Sequence, residues 1–394
     1  MYGKTECQYE FCDEVFEKNS HNQRYHDLSC KRNQENYKRR QMVSDIAAAV
    51  APSYADTEDM DDDEIEQQLD YLRRENKRLG RAADKYKSHR LETINAIQNA
   101  AFAAFSKMDI APVSPPKLGG NKGSEEVANP WWGDWQCGKV TPTYDSDVCE
   151  ERIELLMDKT IRLTSIQRED HDVNHARIYV LGDMVEGEDI FPGQHWYIDS
   201  GIVDQVMNVT NMMIDSIRRM LSYFETVHLV GVEGNHGHVG GRNNRYYHPD
   251  TNLDRLLYKF VEKFFENEKR ITFDIPQGKG EANYYTVDSV GDHSTLLLHG
   301  DQFTKPTSAH AYIKKVTGWR AGAIPEFFND VAMGHWHQNT KMTIGDCVLR
   351  INGTPESTNL FAQKVVSSMG RPSQHLQFIH PENGVTAEYD IYLD

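Results

Sequence analysis

Four stretches of this chain share one pattern: an apolar run that stops at a glycine turn beside a side chain able to bind a metal. They are ARIYVLGD, ending at Asp183; VHLVGVEGNHG, carrying Asn235 and His236; STLLLHGD, carrying His299; and DVAMGHWH, carrying His335 and His337. Each reads as a strand ending in a small-residue turn. Strand ends are where α/β folds place their sites. The glycines at 182, 234, 300 and 334 let the backbone turn there, so groups distant in sequence can meet at one point. Asp134, in the earlier string GDWQCGK, is a fifth member of the series. The intervening stretches Cys149–Ile166 and Gly201–Thr226 have helical periodicity, which gives alternating helices and strands and a layered α/β architecture.

The residue types define the chemistry. Two divalent cations roughly 3.5–4 Å apart need one carboxylate between them, with neutral imidazoles and an amide oxygen completing the shells. Asp183 is the natural bridge. In order and content the blocks resemble the calcineurin-like metallophosphoesterase family, whose motifs run D-x-H, G-D, G-N-H-[D/E], H and G-H-x-H. Here they stand as Asp134-Trp135-Gln136, Gly182-Asp183, Gly234-Asn235-His236-Gly237, His299 and Gly334-His335-Trp336-His337. The resemblance covers roughly residues 128–355. It implies a two-sheet β-sandwich flanked by helices, with Asp134, Gln136, Asp183 and His337 on one metal and Asp183, Asn235, His299 and His335 on the other. It further implies that His236 protonates or stabilises the leaving oxygen of a phosphoester. A looser likeness is to metallophosphoesterases encoded by tailed bacteriophages, often grouped with DNA-repair nucleases.

Two positions depart from the family pattern. Gln136 replaces a histidine and offers only a neutral amide oxygen, which loosens the first metal and favours Mn²⁺ or Fe²⁺ over tightly held Zn²⁺. Gly237 replaces the acidic residue after Asn-His, so another group, Glu186, Glu188 or water, has to orient the neighbouring imidazole.

The amino-terminal part reads differently. Cys7, Cys12, His26 and Cys30 have spacings suited to tetrahedral Zn²⁺ and resemble a C2HC zinc finger, with His21 as a competing ligand and a disordered tail as the plain alternative. Cysteines used this way point to a reducing compartment. No basic segment with an apolar core opens the chain and no run of 18 apolar residues occurs, so the expectation is a cytoplasmic protein with no membrane contact. A chain of 394 residues with 39% hydrophobic content can build two or three parts with at least one large core.

From Asp62 to Phe105 breakers are few. Ile65, Leu69, Leu72, Asn76, Leu79, Ala83 and Tyr86 follow heptad spacing, which suggests a coiled coil and a homo-oligomer, or else a helix packed on its own catalytic part. The expected divisions are a zinc module at 1–40, a helical segment at 41–107, a Pro/Gly-rich linker at 108–127 and a catalytic domain at 128–394.

The formal net charge is −17, yet eight Lys or Arg lie between Tyr71 and Arg90 against two acids. With the zinc module and the basic groups near the motifs, notably Arg242 and Arg245 after the Asn-His loop and Lys314, Lys315 and Arg320 after His299, this favours nucleic acid, DNA before RNA. Ordinary solvated surface is the alternative for these groups. His238, two residues past His236, is the best further candidate for touching substrate. The expected activity is a nuclease-like phosphodiesterase. A small-molecule phosphatase or cyclic-nucleotide phosphodiesterase is the alternative, and a catalytically weak scaffold the third reading.

Overall fold

The computed structural model describes residues 4–6, 15–17, 62–105, 107–108, 110–118, 124–191, 193–239, 251–276, 284–303, 309–356 and 370–394. For 4–6, 15–17, 62–69, 79–80, 82–91 and 93 the backbone alone is described. Cys7, Cys12, His26, Cys30, Arg242 and Arg245 therefore lie outside the described residues.

The chain divides into two compact units, Met1–Ser88 and His89–Asp394. The first contains a short antiparallel pair, β1 (Lys4–Glu6) and β2 (Val15–Glu17), and the start of a 44-residue helix, α1 (Asp62–Phe105). Helix α1 coincides with the breaker-poor stretch. On it Tyr71, Leu72 and Asn76 are exposed, and Arg73 and Arg74 reach Asp70 while Arg78 reaches Glu75.

The second unit holds two sheets. One is six-stranded, in the order β13 (Gly384–Tyr392), β12 (Ser373–His380), β3 (Glu125–Trp132), β4 (Asp172–Val180), β5 (Thr226–Gly231), β6 (Ile271–Asp274). The other is five-stranded, in the order β10 (Thr340–Ile344), β11 (Cys347–Ile351), β9 (Asp330–Met333), β8 (His293–Leu298), β7 (Tyr285–Val290). Strands β3 to β6 run parallel, as do β8, β9 and β11. Helices α2 (Ser146–Gln167), α3 (Ile202–Tyr223), α4 (Leu253–Phe264) and α5 (Ala309–Gly318) flank them. The expected mixed α/β fold, two sheets with flanking helices, is the fold observed.

Alternation along the strands divides the core. Ala176, Ile178 and Val180 of β4 face α2, α3 and α4 in the largest cluster, while Tyr179 and Leu181 join Trp131, Val230, Val232, Leu297 and Ala332 between the sheets. A second outer cluster, from Leu296 through Val316 and Trp319 to Ile351, covers the five-stranded sheet. Each fully buried aliphatic or Phe side chain contributes about 1.5–3 kcal/mol of transfer free energy. Polar ends are capped locally: Asp145 accepts from the Val148 N–H at 2.9 Å at the start of α2, and Asn252 from the Asp254 N–H at 2.8 Å at the start of α4.

The division falls inside α1 and not at the expected linker. Ile94, Phe102 and Phe105 pack into the main cluster, with Phe102 and Phe105 edge-on to Phe260 of α4. The segment after them is also docked, because Arg218 donates to the Ala111 carbonyl at 3.1 Å and Arg270 to the Val113 carbonyl at 2.8 Å. The carboxyl-terminal part of α1 thus follows the alternative of a helix packed on its own catalytic part. Among the described residues no helix is long and apolar enough to cross a membrane.

Candidate metal centre

Five of the parallel strands end at the site. Asp134 follows β3, Asp183 follows β4, Asn235 and His236 follow β5, His299 follows β8, and His335 and His337 follow β9. Both sheets therefore deliver ligand-type groups from the carboxyl ends of their parallel strands. The backbone there is strained: Asp134 (φ 52°), Gln136 (43°), Asp183 (53°), His335 (70°) and His337 (57°) all adopt left-handed conformations that L-residues avoid. They are the only non-glycine residues with positive φ among those described. Such strain persists only where surrounding contacts over-determine it, and it concentrates at functional sites. The glycines act in two ways. Gly182 and Gly300 take positive φ, whereas a Cβ at Gly234 would fall on the Asp183 carboxylate and one at Gly334 on the Asp134 carboxylate, closer than the 3.0 Å real Cβ atoms keep.

The groups converge. His299 Nε2 lies 3.0 Å from Asp183 Oδ2, 3.2 Å from Asn235 Oδ1 and 3.1 Å from His335 Nδ1. Asp183, His299 and His335 form a cluster whose donor atoms lie within 4.8 Å of one another. His337 Nε2 is 3.3 Å from Asp134 Oδ1, and Asp134 accepts from the His335 N–H at 3.0 Å. All are buried or half-buried.

Supporting bonds fix three of the rings. His299 Nδ1 donates to the Leu181 carbonyl at 2.7 Å, which turns Nε2 toward Asp183. His337 Nδ1 faces Glu356 at 3.2 Å and His236 Nδ1 faces the Glu186 carboxylate at 3.1 Å, its backbone carbonyl also lying 2.8 Å away. Ligating histidines are held in this way in metal sites. The donor set of two carboxylates, one amide oxygen and three imidazoles fits divalent cations such as Mn²⁺, Fe²⁺ or Zn²⁺.

Charge follows the geometry. Burial opposes ionisation of Asp183, but His299 and His236 outweigh it and hold its carboxyl far below the usual range. Burial likewise works against charge on the rings, yet the Asp183 carboxylate lifts His299 to about 10, Asp134 lifts His337 to about 9, and Glu186 with Asp183 lifts His236 to about 9. His335 is pushed down to about 2 by burial and by the positive charge on His299. His238 is half-buried and lowered by burial, with Asp301 and Asp183 pulling the other way.

Gln136 requires a correction. Its Oε1 accepts from the Lys139 ammonium at 2.7 Å, and an ammonium can only donate, so the amide nitrogen is the atom turned inward, 3.3 Å from His337 Nε2 and 3.4 Å from His236 Nε2. In this orientation no lone pair is offered to a cation, contrary to the expectation of an oxygen ligand. Among the candidates to replace the missing acid at Gly237, Glu186 touches His236, while Glu188 instead accepts from the Ile202 N–H at 2.7 Å. Gly237 itself is demanded by packing, since a Cβ there would strike Asn252 Oδ1.

Three residues had no sequence signal. Asp254, buried at the start of α4, accepts from the N–H groups of Asp183 (2.9 Å), Met184 (3.1 Å) and Gly234 (2.8 Å), and so ties two ligand loops together. Burial and the nearby Asp183 charge raise its carboxyl to about 6. Glu356 supports His337 and pairs with Lys139 at 2.9 Å. Lys139 is half-buried; burial opposes its charge, but the Glu186 and Glu356 carboxylates raise it above the usual ammonium range.

No family model matches the chain, and no curated protein matches it in sequence. Among solved structures it is similar to vacuolar protein sorting 29 from Cryptosporidium parvum (12% identity, 68% of this chain, 99% of that one, TM-score 0.32). It is also similar to a predicted phosphoesterase from Streptococcus pneumoniae (10%, 67% and 98%, TM-score 0.28) and to an archaeal phosphodiesterase (10%, 68% and 99%, TM-score 0.29). Likenesses at these TM-scores carry no information about function.

Proposed function

We propose that the protein is a divalent-metal-dependent phosphoesterase that hydrolyses phosphodiester bonds of nucleic acid, from an end or internally. The observation that supports this best is the convergence of Asp134, Asp183, Asn235, His299, His335 and His337 on one strained, buried point, with His236 beside it. Divalent cations at such a point concentrate positive charge on phosphoryl oxygens and acidify water.

The chain's own groups do the rest. Asp183, Asn235, His299 and His335 form one binding half, and Asp134 with His337 the other. His236 is fixed twice, its ring by Glu186 and its backbone N–H by Asp183 Oδ1 at 2.7 Å. Its Nε2, 3.4 Å from the Gln136 amide nitrogen, would hold the proton that the departing oxygen needs, and the Glu186 and Asp183 carboxylates favour the protonated ring. His238, two residues past His236, is the proposed substrate contact, with Arg242 and Arg245, outside the described residues, as further ones.

Nucleic acid as substrate is supported by the exposed Lys314 on α5 and by the basic part of α1, with the amino-terminal Cys7, Cys12, His26 and Cys30 as a structural zinc module and self-association through α1, where Leu72 is exposed. One observation favours the second reading, a small phosphoester. Lys315 is spent on the Gln302 carbonyl, and Arg320 on the Phe328 carbonyl at 2.6 Å and on Asp346 at 2.8 Å, which removes two cations from any polynucleotide track.

The test is incubation with Mn²⁺, against a chelator control, of labelled single- and double-stranded DNA, RNA, mononucleotides and cyclic nucleotides. Metal-dependent shortening of polynucleotide supports the proposal, and turnover of small esters alone replaces it with the second reading. His236→Ala should lose about 10²–10⁴-fold in rate while retaining its metal. Undiminished turnover removes the role given to His236.

A further inference from the structure

The two halves of the centre are built differently. In the Asp183, Asn235, His299 and His335 half, the donor atoms face one another, and the supporting bond on His299 comes from a neutral carbonyl. In the Asp134 and His337 half, the position that would supply a further ligand is Gln136, and its oxygen is turned onto Lys139. Lys139 is 13% exposed and Glu356 1% exposed, so the ammonium is a permanent charge sealed beside this half, held in place by a carboxylate at 2.9 Å whose other oxygen lies 3.2 Å from His337 Nδ1. The backbone locks the arrangement, since the Lys139 N–H donates to the Gln136 carbonyl at 3.1 Å and Thr354, two residues before Glu356, donates to the Asp134 carbonyl at 2.7 Å.

Resting on the phosphoesterase reading above, we propose that the centre holds one divalent cation tightly, on Asp183, Asn235, His299 and His335, and that the buried Lys139–Glu356 pair sets a much lower affinity for a second cation at Asp134 and His337. A fixed positive charge in a poorly screened interior repels a second cation, and the residue that should have supplied a ligand has been turned to solvate that charge. The paired Glu356 and the nearby Glu186 carboxylate limit the repulsion without abolishing it. The two members of the pair therefore act in opposite directions. Without Lys139 the second half loses its repulsion and keeps the Glu356 carboxylate beside His337, whereas without the Glu356 charge the ammonium loses its closest carboxylate.

The experiment is titration of the chelator-stripped full chain with Mn²⁺ by calorimetry, with metal content after dialysis measured by elemental analysis. The wild type should retain one equivalent and bind a second at least about a hundredfold more weakly. Lys139→Met, close in volume, should tighten the second equivalent by at least about tenfold with the first unchanged, and Glu356→Gln should weaken it further. If Lys139→Met does not fold, Glu356→Gln alone decides by the sign of its effect. Two equally tight equivalents in the wild type, or variants that leave the second affinity unmoved or shift it the same way, overturn the inference while leaving the phosphoesterase reading intact. Absence of any Mn²⁺ binding overturns both.

Discussion

Gly234→Ala probes the closure of the site most directly. The added methyl would meet the Asp183 backbone nitrogen and carboxylate at distances no real Cβ adopts, and neither is the loose end of a flexible side chain. Restoring ordinary van der Waals contact requires the loops after β4 and β5 to part by about 1 Å, and insertion of a methyl into packed surroundings typically costs about 1–3 kcal/mol. The same parting stretches the His236 N–H to Asp183 Oδ1 bond at 2.7 Å, which spans these loops, and pulls on Asp254 Oδ2, which holds the Asp183 N–H at 2.9 Å and the Gly234 N–H at 2.8 Å. Hydrogen bonds to charged acceptors contribute about 1.5–3 kcal/mol each. Even partial loss brings the total to about 3–5 kcal/mol, a large share of the 5–15 kcal/mol that folded domains hold in reserve. Urea unfolding should show this loss, and Mn²⁺ titration should show affinity reduced by at least about a hundredfold. The control is Gly318→Ala at the end of α5, where a Cβ meets nothing within 4 Å and φ is −64°. It should be neutral or slightly stabilising. If Gly234→Ala lies within about 0.5 kcal/mol of wild type and binds metal normally, the close approach of these loops is not what builds the site.

Two further perturbations test the electrostatics. His236 is held at about 9 by Glu186 and Asp183 in spite of burial, so a reaction needing its proton runs below that pH and fails above it; Glu186→Gln should move the alkaline limb of the rate profile down by at least about one pH unit, and an unmoved limb refutes the pairing. Arg350→Ala removes the closest partner of the buried Asp330, now bonded at 2.6 Å, leaving it His293 at 3.3 Å, and should cost about 3 kcal/mol at pH 7. Although burial opposes it, His293 and Arg350 hold the Asp330 carboxyl below its ordinary value, so this stabilisation exists above the unfolded-state pKa and disappears as pH falls through the folded one. The deficit measured by urea titration should therefore shrink below about pH 4. An equal deficit at both pH values refutes the assignment.

Legibility in the sequence followed the range of the interactions. The strands ending at Asp183, Asn235 and His299 were readable because apolar runs broken by glycine are local patterns, and the two main helices were readable from their period. Asp254, Glu356 and Lys139 were not. Asp254 serves loops 71 and 20 residues away, and Glu356 lies over 200 residues from Lys139, so nothing in their own neighbourhoods distinguishes them from surface charges. The extent of the catalytic body was also hidden, because whether Phe102 and Phe105 face solvent, a second copy or Phe260 is decided by the surface that folding presents to them.

By itself the sequence determined the element types, their order and the identity of the ligand-type side chains, since each depends on neighbours a few residues apart. Only the tertiary structure decided how two sheets bring those chain ends together, which way the Gln136 amide turns, and which buried charges stand behind each imidazole. Those outcomes depend on hydrogen bonds and burial between segments that meet only after the chain has folded.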